Sequence, residues 1–323
     1  MVNINKHKIL ITGGSGYIGA RLSAQLARAG YAVTPLCYPT VPIDPTWVSL
    51  MDRIIVGDVR NNEFLQNLAC SDHFDTIIHL VSLDHHQSTG DVSFVASVNI
   101  TPTWSLLDIF SKQGLKKFIY FSTMQVYGKL PSEQITEQHK PQSQSAYALT
   151  HLIGEQLCEY YNHNSETECR VVRLSNSYGA PIFVENNCWW LVVNDLCRMA
   201  HKDGQIILQS DGTPVRDFIH GNDVCRAVEA IIRTDNPRMT YNVSSGITLS
   251  ILELANLVCK VYENRYNRPI KITTTPPNGN AATSERYTID NSALLQLGYA
   301  PEWNLERGIN DLFDFLEQNY DKI

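Results

Sequence analysis

The sequence predicts an α/β protein in which a doubly wound parallel sheet is joined to a smaller C-terminal α/β lobe. Two observations favour the sheet. A glycine-rich turn near the N-terminus lies between a strand pattern and a helix pattern, and apolar runs then alternate with helical spacing. A third observation favours the second lobe, because the alternation weakens after Gly179. A chain of 323 residues can hold one large domain or one domain with a smaller partner.

The glycine-rich turn is the strongest single signal in the chain. The apolar run Ile9 to Ile11 is typical of a short buried strand, and helical spacing begins at Gly16. Gly13, Gly16 and Gly19 would allow a tight turn, close approach of the backbone to a pyrophosphate, and close packing of helix on strand. The helix N-terminus would add N–H donors and a partial positive charge. The pattern therefore predicts a dinucleotide site rather than an ordinary strand–turn–helix.

Composition narrows the function classes. A net charge of −7, with 43% hydrophobic and 18% charged residues, describes an ordinary globular protein and argues against a general nucleic-acid binder. No apolar run approaches the ~18 residues that a membrane span needs, and the first residues show no signal-peptide pattern. The eight cysteines lack C-x-x-C spacing, which favours reduced thiols in a cytoplasmic protein over disulfides or a metal site.

The second predicted strand, Ala32 to Cys37, bears on the form of the cofactor. A carboxylate that binds the adenosine ribose of NAD normally ends this strand. Here Tyr38 follows, the next acid is Asp44, and no arginine stands beside the strand end to bind a 2′-phosphate. The cofactor is therefore expected to be NADP or NAD, and the missing carboxylate gives a slight preference for NADPH.

The alternation continues along the chain. Strands are predicted at 54–58, 76–82, 117–122 and 169–174, and helices at 92–113, which Pro102 would kink or split, and 147–163. Further on, the predicted elements are a helix at 189–202, strands at 206–208, 216–220 and 241–243, a helix capped by Asn222 or Asp223, and helices at 250–263 and 305–320. We expect residues 1–178 and 218–245 to form the dinucleotide-binding domain, and 179–217 and 246–323 the substrate lobe.

A series of ordered motifs covers nearly the whole chain. They are Thr12 to Gly19, Gly57-Asp58-Val59, His79-Leu80, Asn99, Ser122 to Gly128, Tyr147, Arg173 to Gly179, Asp211 to His220, and Asp290 with Leu297-Gly298-Tyr299. In these motifs the chain resembles the extended short-chain dehydrogenase/reductase family, and within it the nucleotide-sugar epimerases, dehydratases and reductases. The resemblance implies a Rossmann-type fold, NAD or NADP as cofactor, a nucleoside-diphosphate sugar as substrate, and a homodimer formed through helices 92–113 and 147–163.

The resemblance also implies which residues bind the ligands. Those expected to contact the cofactor are Gly13, Ser15, Gly16, Tyr17, Ile18, Gly19, Asp58, Val59, Leu80, Val81, Ser82, Asn99, Tyr147 and His151. Those expected to hold the sugar and its diphosphate are Thr123, Asn176, Asn187 and Arg216. A guanidinium such as that of Arg216 is a natural bidentate partner for phosphate.

The catalytic candidates are Thr123, Tyr147 and His151. Thr123 and Tyr147 stand at the family positions of the catalytic Ser/Thr and the acid/base tyrosine, and the two hydroxyls could hold a carbonyl or alcohol oxygen during hydride transfer. The family pattern Tyr-x-x-x-Lys ends here in His151, so imidazole replaces the cation that hydrogen-bonds the nicotinamide ribose and lowers the tyrosine pKa. We expect a largely uncharged His151 and weaker activation of Tyr147, or a requirement for protonated His151. The alternative is that His151 only packs and catalysis is lost.

Met124-Gln125 narrows the reaction further. Family dehydratases carry Asp-Glu directly after the catalytic threonine, decarboxylases also rely on an acid there, and the 3,5-epimerase/reductases carry a cysteine at the position of Met124. Neither side chain here can shuttle a proton. The expected activity is therefore hydride transfer at C4 by a 4-keto sugar reductase or dehydrogenase. A 4-epimerase, which generally retains NAD through groups that include the missing carboxylate, is the alternative. A catalytically silent NAD(P)-binding protein is the second.

Two other segments carry candidates. Asp84-His85-His86 follows the fourth predicted strand, and Asp84 and His85 are expected to contact the substrate, with a metal site or a solvated loop as the alternatives. No metal is expected. The family's Arg-x-Gly-Asp segment is not matched at Pro277-Asn-Gly-Asn280, and Arg286 is a candidate substitute for its arginine.

Overall fold

The structure is a computed structural model that describes residues 6–42, 44–130, 133–275 and 286–323. The chain divides into two compact units. The first comprises the chain up to Lys129, Glu137–Leu174 and Cys225–Asn242, and the second comprises Leu130–Thr136, Ser175–Val224 and Val243–Ile323. Because compactness does not assign a ligand to either unit, the expected cofactor domain and substrate lobe stay predictions.

The strands and helices of the described residues alternate through the first half of the chain. The strands are β1 (Lys8–Thr12), β2 (Ala32–Cys37), β3 (Ile55–Val56), β4 (Thr76–His79), β5 (Lys117–Thr123), β6 (Gln134–Ile135), β7 (Glu168–Leu174), β8 (Asn176–Tyr178), β9 (Gln205–Leu208), β10 (Val215–His220), β11 (Thr240–Val243), β12 (Thr248–Ser250), β13 (Lys271–Thr274) and β14 (Thr288–Ile289). The helices are α1 (Tyr17–Arg28), α2 (Pro45–Leu50), α3 (Asn62–Ser71), α4 (Val92–Asn99), α5 (Thr101–Ser111), α6 (Ala146–Asn164), α7 (Val192–Asp203), α8 (Gly221–Arg233), α9 (Ile251–Tyr266), α10 (Ser292–Leu295) and α11 (Leu305–Asn319).

The first unit is built on a seven-stranded sheet in the order β11-β7-β5-β4-β1-β2-β3. Every strand pair from β7 to β3 is parallel. The chain winds outward in both directions from β1, so the carboxyl edge of the sheet has a topological switch point between β1 and β4. The prediction of a doubly wound, Rossmann-type parallel sheet is confirmed.

The core of the first unit explains why its strands are apolar throughout. Helices α3, α5 and α6 pack on one face of the sheet and share a buried cluster with its strands. That cluster includes Leu10, Leu36, Leu65, Ile77, Leu106, Phe110, Phe118, Cys158 and Val171. Because helices bury such a sheet, its strands read as continuous apolar runs rather than alternating ones.

The strand ends near the predicted site differ from the sequence expectation. β4 ends at His79 rather than at residue 82, because its neighbour β1 ends at Thr12, directly opposite His79. Gly13 then turns the chain away at a φ of +69°, so β1 offers β4 no partner beyond His79. β5 extends one residue further than expected, to Thr123, because β7 provides Leu174 as its partner.

The sequence predicts that Pro102 kinks or splits the helix at 92–113, and the split is confirmed. The segment forms two helices, α4 and α5, which separate at Ile100. Pro102 lies in the first turn of α5, where its missing N–H breaks no intrahelical bond. The helix expected from residue 189 begins at Val192 instead.

The expected capping of α8 is wrong. The helix begins at Gly221, so Asn222 and Asp223 lie inside its first turn. The Asp223 carboxylate accepts the backbone N–H groups of Glu302 and Trp303 at 3.0 and 2.9 Å. It therefore holds the segment before α11 instead of capping a helix.

The second unit has smaller sheets. They are the three-stranded β12-β10-β8 and the pairs β13-β9 and β14-β6. Helices α7, α9 and α11 pack against one another. All eight cysteines of the chain are free thiols, and Cys70 is the exposed one. Among the described residues, no helix combines the length and apolar character that crossing a bilayer requires.

Candidate functional site

The turn between β1 and α1 has the geometry that its glycines predict. The Gly13 carbonyl accepts a hydrogen bond from Gly16 N at 3.0 Å. A Cβ atom at Gly19 would lie 2.1 Å from the Gly13 carbonyl oxygen, so a larger residue would push the helix away from the turn. No side chain caps α1 at Gly16. This close-packed turn with an uncapped helix start fits a bound pyrophosphate.

His79 fixes the strand ends behind the turn. Its Nδ1 lies 2.7 Å from the Thr12 hydroxyl oxygen, which also accepts the Leu80 N–H at 3.3 Å. The ring is 1% exposed, and burial lowers the pKa of His79 to about 3. A neutral imidazole thus joins β1 to β4. A Cβ atom at Gly13 would meet Val81 at 3.4 Å, so the predicted cofactor contacts Leu80 and Val81 lie against the glycine turn.

Asn99 braces the loop that follows β4. Its Oδ1 accepts the Leu83 N–H at 2.8 Å, and its Nδ2 donates to the hydroxyls of Ser88 and Thr150 at 3.3 and 3.1 Å. The side chain is buried. Sequence reasoning expected a cofactor contact at Asn99, and the structure shows the amide holding the loop against α6. A direct contact with the cofactor stays a prediction.

Thr123 and Tyr147 lie together at the carboxyl end of β5. The Thr123 oxygen accepts the Gln125 backbone N–H at 3.2 Å, and Tyr147 lies in the first turn of α6, which Ser145 caps. Burial raises the pKa of Tyr147 to about 12, the nearby Thr123 hydroxyl opposes the rise, and the Asp84 carboxylate adds to it. The two predicted catalytic hydroxyls therefore share one site.

His151 lies beside Tyr147 one turn along α6, with the two rings tilted at 49° to each other. The two ring centroids are 4.3 Å apart, and His151 Nδ1 lies 2.9 Å from the Tyr147 carbonyl oxygen. Because a carbonyl can only accept, Nδ1 carries the proton and Nε2 has a lone pair in the neutral ring. Burial lowers the pKa of His151, against weaker opposing effects of the Tyr147 carbonyl and Glu155. His151 is therefore uncharged near neutrality, in the direction that the sequence predicts.

A buried ion pair supports this site from behind, and sequence reasoning missed it. Arg173 donates to both oxygens of Glu155, with Nη2 to Oε2 at 2.6 Å, and Ser122 donates to Oε1 at 2.5 Å. The guanidinium also lies 4.7 Å from the Tyr127 ring centroid. These contacts join β5, α6 and β7 directly behind Thr123. The available signal was the spacing of Glu155, two turns after Tyr147 on the same face of α6.

The loop after β4 reaches the tyrosine. The ring centroid of His85 lies 6.3 Å from that of Tyr147 in an edge-on arrangement. Asp84 and Gln87 close a turn in this loop, in which the Asp84 carboxylate accepts the Gln87 backbone N–H at 2.8 Å. His85 is thus near Tyr147, and the Asp84 carboxylate is close enough to raise the tyrosine pKa. The contact of these two loop candidates with a substrate stays a prediction.

The end of β3 contains a cation that the sequence analysis did not place. Arg60 Nε donates to the Asp58 carboxylate at 2.9 Å, and this contact lowers the pKa of Asp58. The same guanidinium lies 5.9 Å from the Tyr38 ring and 6.0 Å from the Phe94 ring. The expectation that no arginine stands beside the end of β2 is therefore wrong. Arg60 is distant in sequence from β2, but β3 pairs with β2 and brings it there.

The predicted sugar and diphosphate ligands other than Thr123 lie in the second unit. Asn176 and Arg216 stand on the neighbouring strands β8 and β10. Asn176 donates to the Asp217 carbonyl at 2.8 Å, and Arg216 donates to the Val215 carbonyl at 2.7 Å. Asn187 lies on the loop before α7, and its carbonyl accepts the Trp190 indole N–H at 3.1 Å. All three candidate side chains belong to exposed residues.

Two remaining expectations concern an arginine and a metal. The segment 277–280 lies outside the described residues. Arg286, the candidate substitute, is exposed and forms an ion pair with Glu253. Within the part of the chain that the structure describes, no group of three or more His, Cys, Asp or Glu side chains is arranged to hold a metal.

Comparison with known proteins identifies relatives along the whole chain. The model of the NAD dependent epimerase/dehydratase family matches residues 9–244. The dTDP-L-rhamnose 4-epimerase of Burkholderia thailandensis is 27% identical, and the match covers 99% of this chain and 97% of that protein. A trifunctional enzyme of Arabidopsis thaliana, a UDP-glucose 4,6-dehydratase, 3,5-epimerase and UDP-4-keto-L-rhamnose reductase, is 24% identical over 96% of this chain. The chain spans about half of that relative, 47% of its length.

Solved structures show the same architecture. The UDP-glucuronic acid 4-epimerase of Bacillus cereus, in complex with NAD, superposes with a TM-score of 0.79 at 25% identity. The match covers 97% of this chain and 99% of that one.

Proposed function

The chain belongs to the NAD dependent epimerase/dehydratase family, and from that premise we propose that it is an NAD(P)-dependent nucleotide-sugar oxidoreductase. The proposed reaction is hydride transfer at C4, by a 4-keto sugar reductase or dehydrogenase. The observation that carries the proposal is the proximity of the Thr123 and Tyr147 hydroxyls at the carboxyl end of the sheet, where Thr123 is close enough to affect the pKa of Tyr147. Ligands of such sheets bind at that edge.

The two hydroxyls hold the reacting oxygen. When bound, the nicotinamide supplies or accepts the hydride. The Thr123 oxygen accepts the Gln125 N–H, and its hydroxyl has one proton that it would donate to the sugar oxygen. Tyr147 donates its phenolic proton to O4 as the ketone becomes an alcohol, and takes a proton back in the reverse direction. With its pKa near 12, Tyr147 is protonated at neutral pH and is ready to act as the acid.

That protonation state favours reduction over oxidation. A reductase needs the neutral phenol, which the buried site stabilises, whereas an alcohol dehydrogenase needs the phenolate. Neutral His151 offers a lone pair at Nε2, so we propose that it accepts a hydrogen bond from a hydroxyl of the nicotinamide ribose. It would position the cofactor without lowering the pKa of Tyr147 by its charge.

The two residues after Thr123 provide no acid or base for the elimination of water from a sugar. Met124 is buried in the short helical turn that follows β5, and Gln125 is the next residue. Neither side chain exchanges a proton near neutrality, so elimination of water lacks its acid and base. The same two positions leave hydride transfer unaffected.

A 4-epimerase is the second candidate, because one relative and several structural neighbours are named 4-epimerases. The same Thr123 and Tyr147 would then oxidise C4 and reduce it from the other face, with no net change in the cofactor. A catalytically silent NAD(P)-binding protein is the third, and it predicts that substituting Thr123 or Tyr147 has no consequence.

We propose a nucleoside-diphosphate sugar as substrate, with Asn176, Asn187 and Arg216 as its ligands. The exposed guanidinium of Arg216 suits a diphosphate. We also propose a homodimer through α4–α5 and α6. Val92, Trp104 and Leu149 expose apolar side chains on these helices, with 81%, 55% and 52% of their surfaces accessible.

The test is a turnover assay with 4-keto nucleotide sugars and NADPH or NADH. Stoichiometric loss of the reduced-nicotinamide absorbance supports the reductase, with the alcohol identified by mass spectrometry. Interconversion of C4 epimers without net loss of reduced cofactor supports the epimerase instead. Binding without either reaction supports the silent protein.

A further inference from the structure

We propose that Arg60 selects NADP(H) over NAD(H) by binding the 2′-phosphate of the adenosine ribose. The inference rests on the proposed function, because it requires that the glycine turn binds a dinucleotide. The solved relative from Bacillus cereus holds NAD, so this preference would set the present chain apart from it.

The first step is the absence of an acid where NAD needs one. β2 ends at the buried Cys37, and the exposed Tyr38 follows. Asp44 is the first carboxylate beyond the strand, and it accepts the Trp47 N–H at 2.7 Å as the cap of α2. The Asp44 carboxylate therefore already caps the N-terminus of α2. A 2′-phosphate arriving at the end of β2 would therefore meet no acidic side chain from this strand.

The second step is the presence of a cation. The Arg60 guanidinium lies 5.9 Å from the ring of Tyr38, so the turn after β3 brings a cation close to the residue that follows β2. Arg60 Nε donates to both Asp58 oxygens at 2.9 Å, and Nη2 donates to Oδ2. None of these bonds uses Nη1, which has two N–H donors. The Arg60 side chain is 35% exposed, so the outer edge of the guanidinium is accessible to a phosphate.

The third step is rigidity. A guanidinium gains most from phosphate when it is already held in place, because less side-chain entropy is lost on binding. The Asp58 carboxylate holds one edge of the Arg60 guanidinium, and the rings of Tyr38 and Phe94 flank the guanidinium at about 6 Å. By resemblance Asp58 approaches the adenine, so one carboxylate would orient both the base and the cation that recognises the phosphate.

The competing explanation is a surface ion pair between Arg60 and Asp58 with no ligand. Exposed pairs of this kind contribute little to stability. Both explanations therefore predict a folded Arg60→Gln variant, but only the proposal predicts that the variant loses discrimination between the two dinucleotides.

The experiment is isothermal titration of the whole protein with NADPH and with NADH, without substrate. The fragment pair adenosine 2′,5′-bisphosphate and AMP is titrated as well. We expect the parent to bind NADPH more tightly than NADH. Arg60→Gln should weaken NADPH and the bisphosphate by about ten- to a hundredfold, the range for charge-assisted hydrogen bonds. The Kd values of NADH and AMP should change by less than about threefold.

Two further variants make the result decisive. Arg53→Gln removes another partly exposed arginine of an aspartate pair, with Asp72, and should leave all four affinities unchanged. Arg60→Lys keeps the positive charge but not the planar pair of guanidinium donors. It should therefore retain part of the NADPH affinity that Arg60→Gln loses.

Tighter binding of NADH than NADPH by the parent would overturn the inference and leave the proposed function standing. Equal losses of affinity for NADPH and NADH in Arg60→Gln would also overturn the inference. If neither dinucleotide binds the parent, the proposed function and the inference fall together.

Discussion

The two ends of the predicted cofactor site differ in where their charged side chains lie, buried at one end and partly exposed at the other. At the catalytic end, Thr123, Tyr147 and His151 are uncharged near neutrality, and the charges of Glu155 and Arg173 are buried behind them. At the adenosine end, the Asp58–Arg60 pair is partly exposed to solvent. The contrast indicates that the predicted catalytic end is supported by buried charges, whereas the proposed selecting end depends on a surface contact that substitution can alter at little cost to folding.

The largest expected effect tests whether the neutral phenol is the proton donor. Tyr147→Phe removes the hydroxyl and should lower kcat/KM for reduction by about 10²–10⁴-fold, the usual contribution of a positioned general acid. Dinucleotide affinity should be retained. Tyr160→Phe, an exposed tyrosine on the same helix, is the matched control in the steady-state assay. Activity of Tyr147→Phe within about tenfold of the parent would rule out this role.

The next effect tests whether the interior ion pair supports the catalytic end. Glu155→Gln leaves the buried guanidinium of Arg173 without its counter-charge, and should lower the free energy of unfolding by about 3–5 kcal/mol. Urea unfolding at neutral pH measures it. Glu159→Gln, one turn later at an exposed position, should change it little. A loss below about 1 kcal/mol for Glu155→Gln would mean that the pair is not needed for stability.

A change in charge at His151 should make the catalytic end respond to pH. His151→Lys places a cation beside Tyr147 and should lower the tyrosine pKa by about 1–3 units. In the oxidative direction, which needs the phenolate, the rise of kcat/KM with pH should move to lower pH by that amount. The measurement is a pH–rate profile of both proteins. Superimposable profiles would show that residue 151 does not tune Tyr147.

The smallest expected effect over a single pH unit concerns His79. Its pKa is lowered from 6.5 to about 3, so the folded state excludes a proton that the unfolded state binds. This contribution to stability is complete above pH 6.5 and is lost as pH falls, by up to about 1.4 kcal/mol per pH unit.

The acid sensitivity can be assigned to His79 by substitution. His79→Asn keeps a polar partner for Thr12 but cannot be protonated, so its free energy of unfolding should decline less steeply below pH 6.5 than that of the parent. Denaturant unfolding over a pH series gives the slopes. The exposed His163→Asn should keep the parent slope, and an unchanged slope in His79→Asn would contradict the assignment.

Local pattern predicted much of the sheet. β2 has the bounds expected from its apolar run, and the glycine spacing predicted the turn after β1. Pattern did not predict where β4 ends, because that depends on the length of the neighbouring β1. Local pattern also cannot predict contacts between side chains that are distant in sequence. Arg60 reaches the end of β2, and Arg173 reaches Glu155, only through the order of strands in the sheet.

The hydrogen bond that Thr123 accepts comes from the backbone of Gln125, not from its side chain. That contact is therefore independent of which side chain stands at residue 125. The Gln125 side chain is exposed, so it can be replaced while the backbone N–H continues to anchor the threonine oxygen. A new side chain at residue 125 would change the chemistry beside Thr123 without changing the group that holds it in place.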